Sequence, residues 1–276
     1  MEDKKHYKRV LSIAGSDPSG GAGIQADIKT ISACGCFATT AITSIVDENT
    51  LGVTDVHPVP LRFVEGQIRS VLDDIGTDAI KIGMLHSAEL VRSVKKTLDN
   101  YSHITNIVVD PVMVATSGDP LLEEDAVATL KDILLPRASV ITPNVPEAEI
   151  LLGEKIESCD QLPDAARQLS ETCGRISVFM KGGHLEGADL VDYFYNGKTG
   201  ELISMSSERI QTRNTHGTGC TLSSALASFL AKGASLEMAA LNAKRYISGA
   251  IESGSGYEIG HGHGPVNHFF AMWKTC

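Results

Sequence analysis

A glycine-containing turn at residues 214–220 carries the clearest chemical signal in the sequence. Gly217 and Gly219 stand directly before a run of small residues that is compatible with a helix. Glycine can take positive φ and lets a ligand approach the backbone, while the first turn of a helix presents free N–H groups and the positive end of the helix dipole. With Thr218 and Cys220, these glycines predict a cradle for a phosphate group. On pattern alone, a loop before a buried helix is the alternative.

Two further side chains are candidates for chemistry at the same site. Cys220 falls at or near a helix N-terminus, where the pKa of a thiol is lowered, and the alternative is a small buried residue. Lys181 ends a predicted strand and precedes Gly182 and Gly183. It is either an exposed lysine or a point charge beside a phosphate.

Two acidic side chains are candidates for binding a ring that carries amine groups. Asp27 lies in the first turn of a predicted helix, and Glu48 lies just beyond the second predicted strand. A carboxylate accepts hydrogen bonds from exocyclic amines. The alternatives are helix-start electrostatics for Asp27 and a solvated loop acid for Glu48.

The glycine-rich segment at residues 15–23 departs from the common nucleotide-binding patterns. It lacks the Gly-Lys-Ser/Thr of a P-loop and a proper Gly-x-Gly-x-x-Gly of a dinucleotide site. We therefore expect its backbone to close over a flat ligand.

Asn144 and Glu147 stand three residues apart where a predicted helix opens. This spacing resembles a capping box, in which the two side chains satisfy each other's backbone N–H groups. It also suits support of Mg²⁺, which keeps several waters and uses few protein ligands. Both interpretations can hold at once.

The elements that must position these residues alternate between short apolar strands and helices. Strands are predicted at 10–14, 37–46, 79–83, 106–110, 139–142 and 176–181. Helices are predicted at 24–34, 63–72, 87–98, 122–134, 146–152, 162–173, after the glycine turn, and at 235–251. This alternation predicts an α/β fold in a single domain over 1–276, with a parallel sheet covered by helices on both faces. A β-hairpin is predicted at 188–206.

Ligands of such sheets collect at the carboxyl ends of the strands. Asp17, Asp110, Asn144 and Lys181 follow predicted strands, and the glycine turn follows the hairpin. Their convergence on one edge predicts a phosphate-handling enzyme site.

The bulk composition excludes several classes of partner. The chain is 42% hydrophobic and 21% charged, as in ordinary globular proteins, and its net charge of −10 argues against nucleic acid. The sequence shows neither a signal peptide nor an apolar run long enough for a bilayer, so we expect no membrane partner. The scattered cysteines predict reduced thiols and a cytoplasmic location.

Taken in order, these motifs resemble the ribokinase-like superfamily, and within it the hydroxymethylpyrimidine kinase/phosphomethylpyrimidine kinase family of thiamine biosynthesis. The matching motifs are residues 13–27, 48–50, 81–85, 110–113, 117–120, 142–144, 180–184, 214–220 and 264–268. The resemblance covers nearly the whole chain and implies a three-layer α/β/α sandwich with a mostly parallel central sheet.

The resemblance also implies an activity, cofactors and partners. ATP would phosphorylate 4-amino-5-hydroxymethyl-2-methylpyrimidine, and a second transfer would convert the monophosphate to the diphosphate. Mg²⁺ is the implied cofactor, ATP the co-substrate, and a homodimer the expected assembly.

By resemblance, each candidate residue receives a role. The pyrimidine pocket would contain Asp27, Glu48, Gly15 and Met84. The nucleotide side would contain Asn144, Glu147, Asp110 and Thr215, with Glu147 and Asp110 holding the metal through water. The catalytic group would be Gly217, Thr218, Gly219 and Cys220 as an anion hole, and Lys181 beside the transferring phosphate.

Cys220 stands where sugar kinases of the superfamily carry an aspartate, their presumed base. A loose transition state leaves little for a base to do. In the second transfer the acceptor is a phosphate monoester with a second pKa of about 6, so it is already ionised. We therefore hypothesise that Cys220 matters mainly for the alcohol step.

Two other functions stay open at this point. The first is a vitamin B6 kinase. Two features oppose it: Glu48 suits an aminopyrimidine, and residues 114–116 lack the second cysteine that some pyridoxal-accepting relatives carry. The second is a non-catalytic relative that only binds its ligand. The intact Lys181, Asn144 and Glu147 oppose that interpretation.

Overall fold

Residues 5–113, 122, 124–183, 185 and 189–273 are described by the structure, a computed structural model. The strands in this part of the chain are β1 (Arg9–Ala14), β2 (Phe37–Ile42), β3 (Ser44–Asn49), β4 (Gly52–Pro58), β5 (Ala79–Ile82), β6 (Ile107–Val109), β7 (Val140–Ile141), β8 (Ser177–Met180), β9 (Asp189–Tyr195) and β10 (Leu202–Glu208).

The helices of the described residues separate these strands. They are α1 (Gly23–Ala33), α2 (Leu61–Ser70), α3 (Ala88–Asp99), α4 (Glu124–Thr129), α5 (Val145–Leu152), α6 (Leu162–Thr172), α7 (Thr218–Ala231) and α8 (Leu236–Gly254). Single π-helical turns at Val71–Ile75 and Leu130–Leu134 extend α2 and α4.

The central sheet has the strand order β10-β9-β8-β7-β6-β5-β1-β2. Pairing is parallel from β2 through β1, β5, β6 and β7 to β8, and antiparallel from β8 to β9 and from β9 to β10. The predicted mostly parallel sheet is therefore confirmed. The predicted hairpin is also present, as the β9–β10 pair, which extends the edge of the same sheet; its first predicted residue, 188, lies outside the described residues.

Helices cover both faces of this sheet. Because strand side chains alternate between faces, Leu11 and Ile13 of β1 belong to the apolar cluster that includes α2, α3, α5 and α6, whereas Val10 belongs to the cluster that includes α1, α7 and α8. The two apolar clusters confirm the three-layer α/β/α sandwich. Within the described residues, no helix has the length and apolar character that a bilayer span requires.

The prediction of one strand over 37–46 is wrong, because this segment forms parts of two strands in different sheets. The chain leaves the central sheet at Thr43, whose hydroxyl donates to the Met84 carbonyl (3.0 Å) and whose N–H donates to the Ala14 carbonyl (3.0 Å). Beyond it, β3 pairs antiparallel with β4 in a separate two-stranded sheet, which we call the flap (residues 44–58). Glu48 therefore belongs to the flap and not to the central sheet.

Candidate active site

A cavity of about 580 Å³ lies where β1, β6, β7 and β8 end. All the site residues predicted from the sequence line it, with the single exception of Asp27. They arrive from the strand ends, from the flap and from the turn that opens α7. The topology therefore brings together residues that are far apart in the chain, as expected at the carboxyl edge of a parallel sheet.

The turn before α7 depends on glycine. Gly217 is the N-cap residue in the left-handed region (φ 76°), and a Cβ there would lie 1.7 Å from the Gly21 carbonyl oxygen. The helix begins at Thr218, so the N–H groups of Gly219 and Cys220 belong to its first turn and have no acceptor within the helix. The turn therefore presents N–H donors and the positive end of the helix dipole to the cavity.

Lys181, at the end of β8, lies between two buried carboxylates. Its Nζ is 3.2 Å from Asp110 Oδ1 and 3.7 Å from Glu147 Oε2. A Cβ on Gly219 would lie 3.4 Å from this Nζ and 3.2 Å from Asp110 Oδ2, so the helix turn runs directly against the pair. The cation and the N–H donors therefore face the same part of the cavity.

The pKa values of the two carboxyl groups are shifted in opposite directions. Burial alone would raise the pKa of Asp110, but the positive charges of Lys181 and Lys81 lower it below its usual value. Burial raises the pKa of Glu147 to about 7, and the Asp110 charge adds to this effect while Lys181 opposes it. Two acids at one site thus change charge in different pH ranges.

Asn144 and Glu147 form the capping box that their spacing indicates. The Glu147 N–H donates to Asn144 Oδ1 (2.9 Å), and the Asn144 N–H donates to Glu147 Oε2 (2.8 Å). The cap fixes the Glu147 carboxylate at the cavity wall. The capping interpretation is therefore correct, and the carboxylate still lines the cavity.

Another part of the cavity lies beneath the flap. Gly15 leaves room there for the flap base, because a Cβ would meet Ser44 Oγ at 2.6 Å and Met84 Cε at 2.8 Å. Met84 is buried, and Glu48 enters from the end of β3. A flat ligand in this space would meet apolar surface below and a carboxylate at its edge.

Sequence reasoning missed His216, which faces Glu48. Its Nε2 lies 2.9 Å from Asp17 Oδ2 and 3.8 Å from Glu48 Oε1. Burial alone would lower the pKa of His216, but the hydrogen bond to Asp17 and the nearby Glu48 charge raise it. One ligand atom from each of these three residues lies within 4.8 Å of the others. The cluster is therefore an imidazole between two carboxylates. The Ser19 hydroxyl and the Ala22 N–H also donate to Asp17.

The predicted role of Asp27 is wrong. Asp27 is fully buried outside the cavity wall, where both its oxygens lie 2.9 Å from Lys81 Nζ. The hydroxyls of Ser12 and Ser224 donate to it as well, at 2.6 and 2.7 Å. Its carboxylate therefore serves as the counter-ion of a buried lysine and cannot reach a ligand amine.

The expected low pKa of the Cys220 thiol is also wrong. Cys220 does lie in the first turn of α7 and does line the cavity. Burial nevertheless raises the pKa of its thiol to about 11, with the charges of Asp27 and Asp110 adding to the effect and Lys81 and the Gly23 N–H opposing it. The thiol is therefore neutral near pH 7, and the site does not hold a thiolate.

The chain matches a known family over most of its length. Residues 17–267 match the family model described as phosphomethylpyrimidine kinase. The hydroxymethylpyrimidine/phosphomethylpyrimidine kinase of Rhizobium meliloti (strain 1021) is 47% identical over 96% of this chain and 98% of its own length. The enzyme of the same name from Escherichia coli (strain K12) is 46% identical over 96% of this chain and 100% of its own length.

The chain belongs to this family. The matched range includes the ends of β6, β7 and β8, the flap and the turn before α7, and it confirms the resemblance found in the sequence. It also identifies the chain as a kinase-type phosphotransferase.

Solved structures of two activities share the fold. A pyridoxal kinase of Bacillus subtilis, solved as an ADP complex, has a TM-score of 0.87 at 35% identity and covers 98% of this chain and 100% of its own. A phosphomethylpyrimidine kinase of Clostridium difficile 630 has a TM-score of 0.76 at 40% identity and covers 88% of this chain and 99% of its own. Both vitamin kinase activities are therefore found on this architecture.

The donor set at the centre of the family site suits Mg²⁺. Asp110 and Glu147 offer carboxylate oxygens, which this cation prefers, and their partial pairing with Lys181 is consistent with a metal held through water. Asp110 is held in place by hydroxyl donors from Thr142 (2.8 Å) and Ser223 (3.3 Å). The carboxylates present therefore fit a Mg²⁺ ion.

A further stretch of the cavity wall was not assigned from the sequence. Ile210, Ile247 and Ile251 line it, and Arg209 lies beside them. The Arg209 guanidinium donates to the Gly183 carbonyl (3.0 Å) and so ties β10 to the loop that follows Lys181. Apolar branched side chains of this kind offer a surface on which a flat ring can pack.

Proposed function

We propose that this chain transfers the γ-phosphoryl group of ATP to 4-amino-5-hydroxymethyl-2-methylpyrimidine and then to the resulting monophosphate. The observation that carries the proposal is that one cavity combines two kinds of site. Lys181, Asp110 and the first turn of α7 offer a site for transferring phosphate, and Glu48 beneath the flap offers an acceptor for a ring amine.

The phosphoryl group would be stabilised by donors that are already in place. The N–H groups of Gly219 and Cys220 and the Nζ of Lys181 face the region where negative charge spreads over the transferring group. Preorganised donors of this kind need no rearrangement during the reaction. Held through water by Asp110 and Glu147, Mg²⁺ would neutralise charge on the nucleotide phosphates.

The acceptor hydroxyl would meet Cys220 at the start of α7. Its thiol, with a pKa of about 11, is neutral near pH 7 and acts by hydrogen bonding to orient the hydroxyl, not as a strong base. In the second transfer the acceptor phosphate is already ionised. That step needs position and charge neutralisation, which Lys181 and the turn provide.

Glu48 would select the acceptor ring. Its carboxylate accepts hydrogen bonds from the exocyclic amine of the pyrimidine, a group that pyridoxal lacks. Pyridoxal phosphorylation is the second candidate, because pyridoxal kinases of B. subtilis and Staphylococcus aureus share the fold at 35% identity. Residues 114–116, where some pyridoxal-accepting relatives carry a second cysteine, lie outside the described residues.

The nucleotide would bind along the part of the cavity wall that the acceptor does not use. Thr215 would contact the nucleotide phosphates, and the adenine ring would pack on Ile210, Ile247 and Ile251. A homodimer in the cytoplasm is expected from the family resemblance. Sedimentation velocity would test the dimer.

Phosphorus NMR provides the direct test of both transfers. The protein would be incubated with ATP, Mg²⁺ and the hydroxymethylpyrimidine, and the products identified with time. We expect a phosphate monoester first and a diphosphate later, while ATP is converted to ADP. If ATP persists and no phosphorylated pyrimidine forms, the proposed function is wrong.

A further inference from the structure

The tip of the flap is bound by a segment near the C-terminal end of the described chain. Thr50, in the turn between β3 and β4, accepts hydrogen bonds through its Oγ1 from the N–H groups of His261 and Gly262, both at 3.2 Å. Its carbonyl oxygen accepts a third from the His263 N–H at 2.8 Å. We call residues 260–265 the strap.

The contact between strap and flap leaves no space for side chains. A Cβ on Gly262 would lie 1.8 Å from the Thr50 carbonyl oxygen. Gly260 has a φ of +70°, and a Cβ there would lie 2.2 Å from Thr50 Oγ1. The two backbones therefore meet directly at Gly260 and Gly262, and the half-buried Thr50 hydroxyl lies against the strap.

The other end of the strap is bound to the turn that precedes α7. The His216 N–H donates to the Gly264 carbonyl at 3.0 Å, and His216 and Pro265 form a parallel β-bridge. The Asn214 side-chain amide donates to the carbonyls of Gly254 (2.8 Å) and Tyr257 (2.6 Å), which lie just before the strap. The strap thus joins the flap tip to the turn before α7.

These contacts close into a ring at the acceptor site. From Thr50 the path runs through the strap to His216, and the His216 imidazole faces Glu48 at 3.8 Å. Glu48 lies two residues before Thr50 on the same hairpin. The position of the Glu48 carboxylate is therefore fixed from both sides, by the strap through Thr50 and by the imidazole.

We propose that Thr50 is a positioning residue, which sets Glu48 over the acceptor ring by anchoring the flap to the strap. The inference rests on the proposed function, because it assigns Thr50 to the binding of the same pyrimidine. Thr50 touches neither the cavity nor the reacting atoms. Its loss should therefore weaken acceptor binding and leave nucleotide binding and the chemical step intact.

The test compares Thr50→Val, which keeps the shape and removes the acceptor oxygen, with Thr50→Ser, which keeps that oxygen. Thr54→Val, at an exposed threonine of the same flap, is the matched control. Thr50→Val should raise KM for the hydroxymethylpyrimidine about fivefold, as expected for lost hydrogen bonds, with kcat and the KM for ATP within about twofold. Thr50→Ser and Thr54→Val should behave as wild type.

Gly262→Ala provides a second variant that acts from the strap side. Its Cβ would push against the Thr50 carbonyl, so it should give the same selective rise in KM. Thermal melting of all variants reports whether a change is local.

The outcomes separate this inference from the proposed function. Wild type that fails to phosphorylate the pyrimidine overturns both. If wild type is active, a pyrimidine KM for Thr50→Val within about twofold of wild type overturns the inference alone. A parallel rise in both KM values also overturns it, because that result indicates general destabilisation.

Discussion

Lys81 and Asp27 form an ion pair that solvent does not reach. Both side chains are 0% exposed, and Lys81 Nζ lies 2.9 Å from each carboxylate oxygen. Burial alone would lower the pKa of Lys81, but the Asp27 charge raises it above its usual value. The pair joins β5 to α1, and the Ser224 hydroxyl in the second turn of α7 donates to Asp27 (2.7 Å).

Removing one partner of this pair should destabilise the fold strongly. Lys81→Met leaves the Asp27 charge buried without a cation, so we expect the free energy of unfolding to fall by about 3–5 kcal/mol. Urea titration measures the change. Lys95→Met is the matched control, because the Lys95–Asp99 pair is exposed and should cost less than about 1 kcal/mol. An equal fall in the free energy of unfolding for the two variants would show that the buried Lys81–Asp27 pair is no more important for stability than an exposed pair.

Gly219→Ala should reduce activity without harming the fold. The new Cβ would lie between the turn and the Asp110–Lys181 pair and would displace them by a few tenths of an ångström. Because misplacement of catalytic groups is costly, we expect kcat to fall about 100-fold. Alanine favours the helix, so the melting temperature should not fall. Gly66→Ala, where a Cβ meets nothing within 4 Å, should retain wild-type kcat. A wild-type kcat for Gly219→Ala would refute the assignment of the turn before α7 to phosphate binding.

Lys181→Met should remove the positive charge that, in the proposed function, stabilises the transferring phosphoryl group. We expect kcat to fall about 100- to 1000-fold for both acceptors, as for other preorganised donors. Initial rates with the alcohol and with the monophosphate provide the measurement. Lys155→Met serves as control, since Lys155 is exposed and pairs with Glu149 away from the cavity. A loss confined to one acceptor would show that Lys181 does not serve both transfers.

The pKa of about 7 for Glu147 predicts a pH-dependent requirement for Mg²⁺. A carboxyl group with a raised pKa is neutral below that value, so the Mg²⁺ concentration for half-maximal rate should rise as the pH falls from 8 to 6. Rate measurements over a Mg²⁺ series at each pH give this constant. Glu147→Gln, which can keep the capping box, should raise the constant and remove its pH dependence. An unchanged dependence in the variant would assign the titration to another group.

Cys220→Ala should affect the two transfers unequally. If the neutral thiol orients the alcohol as proposed, removal of a hydrogen bond of about 1 kcal/mol should slow the first transfer about fivefold. The second transfer uses an ionised phosphate and should change less than about threefold. Separate assays with each acceptor measure the ratio. Equal losses in both steps would disprove the special role of Cys220 in the alcohol step.

Much of the fold was predictable because the strands are short and apolar and alternate with amphipathic helices. β4 was not predicted, since its side chains are exposed or half-buried and, among the described strands, it pairs with β3 alone. The break at Thr43 was missed for a related reason. β-Branched residues continue across it, and the strand ends where Thr43 hydrogen-bonds to Ala14 and Met84, which the sequence pattern does not show.

The site shows the same division between local and long-range information. Asn144 and Glu147 were read correctly as a cap because that contact is local. Asp27 was misassigned because its partner, Lys81, is distant in sequence; a lysine inside the apolar strand β5 was the signal that a buried carboxylate must exist. The raised pKa of Cys220 depends on burial, which a position at a helix start does not reveal.

A coupled ADP-release assay with three acceptors tests the central claim most directly. The hydroxymethylpyrimidine, its monophosphate and pyridoxal would be compared at equal concentrations with ATP and Mg²⁺. The account predicts a higher kcat/KM for both pyrimidines than for pyridoxal, because Glu48 in its proposed role would bind an amine that pyridoxal lacks. A higher kcat/KM for pyridoxal than for either pyrimidine would contradict it.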